Sequence, residues 1–236
     1  LIKAENLGKI FGKKWAVRDI SFDIKDGEIF ALIGPNGAGK TTIIKLLTGL
    51  LSPTEGRAVV SGFDLSKDPI SAKKTLGYLP DRGFLYERLT GREFLVFMSS
   101  IREMKKPNAL NRIDELSEEF NMKGYLDNLI ESYSQGMRQR LLFASALLHE
   151  PKVLLIDEPF VGLDPIGVGL FKETLKRLSQ RERAILIATH SLHTVEPIVD
   201  RIGFIKNGSL TSIKTKEEFI GVEGGLEGFF LKEAGS

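Results

Sequence analysis

The sequence predicts an α/β fold: a mainly parallel sheet, an N-terminal antiparallel β-subdomain and an inserted, mostly helical subdomain. Three observations predict it. Near-continuous apolar runs at Glu28–Ile33, Val153–Ile156 and Arg183–Thr189 alternate with helical spacings, the pattern of parallel strands covered on both faces. The run from Ala16 to Ile24 alternates with period two, as a half-buried antiparallel strand does. From about Thr90 to Leu148 helix-period spacings replace strand patterns altogether.

Taken in order, Ile2–Leu7 and Ala16–Ile24 read as strands, the second ended by Lys25-Asp26-Gly27-Glu28. A buried strand at Glu28–Ile33 leads through a Gly-rich turn into a helix, Thr42–Leu50. Further strands are expected at Arg57–Ser61, after the turn Pro53-Thr54-Glu55-Gly56, and at Thr75–Leu79. In the helical stretch Phe94, Phe97, Met98 and Ile101 share one face and Ile113, Leu116 and Phe120 another, punctuated by Gly91 and Pro107-Asn108. Its last helix, Met137–His149, should return to the core. The helix Ile166–Gln180 then carries Leu170, Phe171, Leu175 and Leu178. Arg201–Lys206 and Ser209–Ile213 make a hairpin, because Asn207-Gly208 supplies the two positive φ values of a type I′ turn. A short helix is expected around Glu217–Ile220. The division that follows is one domain over residues 1–214, with the helical subdomain at about 90–148, and a short C-terminal tail at 215–236. Within that tail Gly221–Gly225 reads as a linker and Leu226–Leu231 as weakly specified.

Composition narrows the function classes. The chain has 236 residues, 42% of them hydrophobic, enough for one sizeable core. Thirty-three Lys plus Arg stand against 31 Asp plus Glu, a balance that gives no footprint for direct nucleic-acid binding. Cysteine is absent, so disulfide staples and thiolate-bound metals are excluded, in keeping with a reducing compartment. No apolar run approaches the roughly 20 residues of a membrane span, nor does the N-terminus read as a secretory signal. Any membrane role would therefore go through a partner.

The segment Gly34-Pro35-Asn36-Gly37-Ala38-Gly39-Lys40-Thr41 meets the full GxxxxGK[ST] pattern between a strand and a helix. Its backbone N–H groups, with the helix N-terminus behind them, suit a bound phosphate chain. In that chemistry Lys40 spans the β- and γ-phosphates and Thr41 puts its hydroxyl on Mg²⁺, with Thr42 beside it. Leu154-Leu155-Ile156-Asp157-Glu158 supplies the complement, an apolar strand delivering two carboxylates at its C-terminal end. Asp157 is the candidate for the metal and Glu158 for the general base. His190 ends another apolar strand, where imidazole suits a γ-phosphate oxygen or the attacking water. His193 has no Cys or further His nearby to build zinc ligation. His149 reads as a partner for the C-terminal end of its helix. These residues indicate a Mg-nucleotide hydrolase.

Five further segments carry a closer resemblance. Tyr133-Ser134-Gln135-Gly136-Met137-Arg138-Gln139-Arg140 resembles the signature of the ATP-binding cassette (ABC) family, Gly162-Leu163-Asp164-Pro165 its D-loop, and Ala188-Thr189-His190 its switch-histidine segment. Lys9–Lys14 resembles the stretch that stacks on adenine, with Phe11 in the aromatic place, and Thr90-Gly91-Arg92-Glu93 resembles the start of the helical lobe. The likeness runs in order from about residue 1 to about residue 214. It implies an ATPase with ATP and Mg²⁺, two cassettes packed head to tail, and ATP held between the phosphate loop of one and Ser134, Gln135, Gly136 and Met137 of the other. Ser134 reads as an N-cap, leaving the N–H groups of Gly136 and Met137 as a second anion site. Asp164 would then lie near the twofold interface. The form of the signature is similar to cassettes of ABC-2 and multidrug-exporter type, whose membrane permease is a separate chain. That likeness implies a cytoplasmic subunit held on the inner face of the cell membrane, paired with itself or a homologous cassette and powering export of an unidentified substrate. The competing expectation is a soluble, ATP-gated dimeric clamp associated with nucleic acid or ribosomes.

Departures from the family pattern are also legible. Gln135 stands where a glycine is common, narrowing backbone freedom. Asp81, in Gly77-Tyr78-Leu79-Pro80-Asp81, stands where the family commonly has a glutamine that touches Mg²⁺; a carboxylate can still hold metal or water but adds charge. Phe11 replaces the more frequent Tyr or Trp and keeps a stacking face. Trp15 fits that place poorly by spacing and reads as a packing residue.

Overall fold

The structure is a computed structural model that describes residues 1–220 and 224–228. Its first part comprises β1 (Ile2–Phe11), β2 (Lys14–Ile24), β3 (Ile29–Ile33), α1 (Lys40–Leu47), β4 (Glu55–Val60), β5 (Phe63–Asp64), α2 (Pro69–Lys74) and β6 (Leu76–Leu79). The helical stretch consists of α3 (Gly91–Ile101), α4 (Lys106–Glu119), a 3₁₀ turn at Ile130–Ser132 and α5 (Gln135–Leu147). Then follow β7 (Val153–Asp157), α6 (Pro165–Gln180), β8 (Ala184–Thr189), α7 (Leu192–Val195), β9 (Arg201–Lys206), β10 (Ser209–Thr215) and α8 (Lys216–Ile220).

Two sheets result. One is antiparallel, in the order β2-β1-β4-β5; the other runs β10-β9-β3-β8-β7-β6 and is parallel except for the β9–β10 hairpin. Alternation along the parallel strands explains why they are apolar throughout. Ile29, Ala31, Ile33, Leu154, Ile156, Ile185 and Ile187 enter one core, whereas Phe30, Leu32, Val153, Leu155 and Leu186 enter the other. The second core is closed by Ile2, Leu7, Val17, Ile20 and Phe22 of the antiparallel sheet, with Ile43, Ile44 and Leu47 of α1 between the two sheets. The first core is shared with the helical stretch. Phe120 and Phe143 lie 5.2 Å apart, and Phe171 of α6 is 5.8 Å and 4.4 Å from them, so aromatic packing welds the helices to the sheet.

Several expectations shift. β1 runs past Leu7 to Phe11 and β2 begins at Lys14, because Ile10 pairs with Trp15 and Phe11 with Lys14 around Gly12, whose φ is +60°. Pro107 falls in the first turn of α4 and so punctuates the helical stretch as expected; its missing N–H lies where no intrahelical acceptor exists. The last helix starts at Gln135, two residues before the expected Met137. Thr90 and Glu93 form a reciprocal capping box that fixes the start of α3. Beyond residue 214, Phe219 and Leu226 are buried in the larger core, and the Leu226 N–H donates to Glu196 Oε1 at 3.1 Å. Residues 221–223 of the expected linker and 229–231 of the expected weak segment lie outside the described residues.

His149 also departs from its reading as a charged helix-end partner. Its Nε2 meets the Leu76 carbonyl at 3.1 Å, and burial, with Arg102 nearby, lowers its pKa to about 4. A neutral ring cannot serve the helix dipole as a cation. Since the unfolded value is near 6.5, the unfolded chain binds more protons between these limits, and stability present above pH 6.5 is lost as pH falls toward 4. The His149→Gln protein should therefore show a shallower loss over that window, by on the order of 2 kcal/mol, in urea melts at stepped pH. Equal slopes would contradict this.

Where β2, β3 and β9 converge, the Glu28 carboxylate is buried and accepts from the Lys25 N–H at 2.8 Å and from Arg201 at 2.9 Å. The Arg201 guanidinium lies 5.5 Å over Phe30 and donates to the Asp23 carbonyl. Arg201→Met should cost about 3 kcal/mol in chemical denaturation, because it strands a buried carboxylate.

Candidate nucleotide site and its family

The phosphate loop is held by its surroundings as well as by its own sequence. Ala38 N–H bonds back to the Pro35 carbonyl at 3.2 Å, and the Ala38 carbonyl accepts from Gly208 at 3.0 Å. The Asn207-Gly208 turn, with φ values of +51° and +79°, thus forms the expected hairpin and also buttresses the loop, a role the sequence did not signal. At Gly34, a Cβ would fall 2.2 Å from the Ile205 carbonyl oxygen, so the loop can only seat on β9 with glycine there. Gly39 caps α1 at φ 112° with no side-chain acceptor, and the first turn holds no acidic residue. The helix N-terminus is therefore left facing the cavity with its own positive end uncompensated.

A cavity of about 700 Å³ opens over this loop. Phe11, Asn36, Gly37, Gly39, Lys40, Thr41, Thr42, Asp81, Asp157 and Glu158 all line it, which brings together sequence positions from both halves of the chain. Gly34, Pro35 and Ala38 do not line it: Gly34 and Ala38 are buried within the loop and Pro35 is exposed. Trp15 and Lys14 line the same cavity. Trp15 nonetheless also packs, with its ring against Gly8, where a Cβ would stand 2.8 Å from Cζ3. Arg18 lies 5.4 Å over that ring. Phe11 is half exposed at the end of β1, with Lys9 Nζ 5.7 Å from its ring centroid, and so presents a free face to a base.

Lys40 is buried, and its ammonium donates to the carbonyls of Gly34 at 2.7 Å and Pro35 at 3.1 Å. Burial lowers its pKa, with Glu158 and Asp157 opposing. The Thr41 hydroxyl donates to Asp157 Oδ2 at 2.7 Å, joining the start of α1 to the end of β7. Asp157 is almost wholly buried; burial raises its pKa, the Thr41 bond lowers it, and the charges of Glu158 and Asp81 raise it again. A hydroxyl and two carboxylates, one of them buried beside other anions, make a hard-oxygen donor set that fits Mg²⁺. Among the described residues no three His, Cys, Asp or Glu gather into a group that could hold a metal ion by themselves.

Glu158 has φ +48°, a left-handed conformation for a non-glycine residue. That backbone turns its carboxylate toward the end of β8, where it accepts from Thr189 Oγ1 at 2.8 Å and from the His190 N–H at 3.1 Å. His190 Nδ1 lies 2.7 Å from the same carboxylate. Nothing in the sequence pointed to Thr189 in this role.

The signature segment lies outside this cavity. Ser134 is the N-cap of α5, but its hydroxyl accepts from the Met137 N–H at 3.3 Å, so of the two N–H groups expected to be exposed, Met137's is already engaged. Gln135 packs over Gly162, at which a Cβ would fall 2.6 Å from the Gln135 side chain. Gln139 donates to the Pro159 carbonyl at 3.1 Å. Asp164 caps α6 through the Gly167 N–H at 2.8 Å and meets Arg140 at 3.4 Å. Signature helix and D-loop are thus one packed unit in this chain. The Tyr133 hydroxyl donates to the Tyr125 carbonyl at 2.8 Å, with burial pushing its pKa up to about 12. His193 pairs with Glu227 at 3.1 Å.

Fold and cavity together define a nucleotide-binding α/β ATPase of the phosphate-loop class. The ABC transporter family model matches residues 17–161. The chain is 36% identical over 225 residues to the linearmycin resistance ATP-binding protein LnrL of Bacillus subtilis (strain 168), covering 95% of this chain and 72% of that one. It is 36% identical to the ABC transporter ATP-binding protein NatA of the same organism, covering 83% and 80%. Against ABC transporter A family member 7 of Arabidopsis thaliana the identity is 38%, covering 95% of this chain but 25% of the larger protein. Among solved structures, an ATP-binding subunit of an ABC transporter superposes with a TM-score of 0.91 at 30% identity, covering 98% of each chain. A dimeric cassette in a post-hydrolysis state with ADP and Pi shares the fold, with a TM-score of 0.84 at 21% identity over 92% of this chain and 99% of that one. The chain belongs to the ABC transporter family and is an ATP-binding ATPase domain.

Because Gly34 touches the β9 backbone, Gly34→Ala should displace the loop. We expect a stability loss of about 2 kcal/mol and weaker binding of a fluorescent ATP analogue; unchanged binding and melting would contradict the assigned close approach.

Proposed function

We propose that this chain is the ATPase subunit of a transporter, powering movement of a substrate, in the export direction, through a separate membrane permease. The observation that carries this reading is exposed apolar surface that begins three residues after Asp81, a residue lining the nucleotide cavity. Phe84 is 78% exposed at the turn just after Asp81, and stacks edge-on with Tyr86, which in turn meets Phe97 of α3. Farther along α3 a cavity of about 1180 Å³, larger than the nucleotide cavity, is lined by Met98 and by the exposed Leu50, Ile70 and Ile101, with Lys73, Lys74, Arg102 and Glu103 among them. Unpartnered aromatic and aliphatic surface of this kind suits a cytoplasmic helix of a membrane protein. Among the described residues no helix is long and apolar enough to cross a membrane. A relative named for linearmycin resistance supports export. The chain would sit on the cytoplasmic, inner face of the membrane.

In this reading Phe11 stacks on adenine, the loop N–H groups and Lys40 hold the phosphates, and Thr41, Asp157 and Asp81 hold Mg²⁺. The ion supplies positive charge against the phosphate oxygens. Lys40 leaves the loop carbonyls for the phosphates. A second cassette, a copy of this chain or a homologue, brings its Ser134, Gln135, Gly136 and Met137 over the same ATP, with Asp164 near the twofold axis. Glu158 then takes a proton from water as the water oxygen bonds to the γ-phosphorus and the bond to the ADP oxygen breaks. His190 holds the γ-phosphate or the water. Loss of phosphate removes the shared ligand, and the pair opens.

A Glu158→Gln protein should still bind ATP and dimerise on it, while turnover falls roughly 10²- to 10³-fold in a phosphate-release assay. Near-normal turnover would remove Glu158 from the role of base. Phe97→Glu should leave turnover of the isolated chain unchanged and abolish co-purification with the membrane partner; retained co-purification would place docking elsewhere.

A further inference from the structure

We infer that Thr189 is a positioning residue that fixes which oxygen of Glu158 receives the proton; this rests on the reading of Glu158 as base. The two carboxylate oxygens are not equivalent. Oε1 receives the His190 backbone N–H at 3.1 Å and faces His190 Nδ1 at 2.7 Å, which fills both of its lone-pair sites when that nitrogen carries the proton. Oε2 receives one donor, the Thr189 hydroxyl at 2.8 Å, and keeps one lone pair for water. The direction of that donation is forced. An ionised carboxylate has no proton to give, so the Thr189 hydroxyl is the donor, while its oxygen also accepts from the Ser191 N–H at 3.0 Å. The threonine is buried at the end of β8, paired with Ile33 of β3, and its branched Cβ restricts the hydroxyl to a narrow set of directions. The Glu158 N–H is pinned at the same strand end, donating to the Ala188 carbonyl at 2.9 Å. Backbone and carboxylate are thus both fastened to β8, and rotating Oε2 away from the nucleotide would break the Thr189 bond first.

The test compares Thr189→Val, Thr189→Ser and Glu158→Gln in steady-state ATP hydrolysis, with ATP-dependent dimerisation followed in parallel. Valine keeps the branched shape and removes the donor; serine restores the donor. We expect kcat of Thr189→Val to fall about tenfold, with KM for ATP and dimerisation within about twofold of the parent, and Thr189→Ser to recover to within about twofold. A Thr189→Val kcat equal to the parent's would overturn the inference, as would KM rising in step with the loss of kcat, or serine failing as badly as valine, which would mark a packing role. Normal turnover in Glu158→Gln would instead overturn the assignment of the base, and with it the inference. Loss in Glu158→Gln alone rejects only the part given to Thr189.

Discussion

The 2.7 Å hydrogen bond from Thr41 to Asp157 is the constraint around which the site is organised. One partner is the second residue of the helix that follows the phosphate loop; the other is the last residue of a strand lying two places away in the sheet, beyond β8. Joining them fixes the loop over the C-terminal ends of the parallel strands, where an open α/β sheet gathers its ligands. It also puts a buried carboxylate within reach of Lys40 and Asp81, whose charges act on it in opposite senses. The anionic groups are thus gathered before any phosphate arrives, a setting that suits the Mg²⁺ of the proposed reaction.

That arrangement tolerates little drift because the strands are packed on both faces. Residues at alternate positions of β3, β7 and β8 enter different cores, so moving one strand end disturbs two packed layers at once. The helical stretch shares the larger of these cores through Phe120, Phe143 and Phe171. Signature helix and D-loop are further tied by Gln139 to Pro159 and by Arg140 to Asp164. A displacement of the signature toward a partner's nucleotide would therefore be felt at residues 159–164, directly after Glu158. In the proposed dimer the two halves of the nucleotide site, one used within the chain and one offered to a partner, would be mechanically continuous.

Much of this was legible beforehand because it rests on local rules. Strands β3, β7 and β8 were marked by apolar runs ending in polar residues, the loop by its glycine spacing, the α5 cap by Ser134 and the β9–β10 turn by Asn207-Gly208. What escaped depends on contacts between distant segments. The extension of β1 to Phe11 comes from cross-strand pairing with β2, and the burial of Leu226 from a core built elsewhere. The neutral state of His149 reflects burial beside Arg102, which no local pattern records. Thr189 reads as an ordinary strand residue until the backbone of Glu158 turns left-handed and brings the carboxylate to it. Asp81 is legible as a departure from the family pattern, but only the structure shows that its charge acts on Asp157.

The central claim is that one ATP is held by two chains. Mixing a Lys40→Ala protein with a Ser134→Arg protein tests this most directly. Each alone has two damaged sites if sites are composite, but in a mixed pair one site combines an intact phosphate loop with an intact signature. A composite site predicts that each variant is inactive by itself and that an equal mixture regains a substantial fraction of parental ATPase activity, rising with total protein concentration. A mixture as inactive as its components would contradict it.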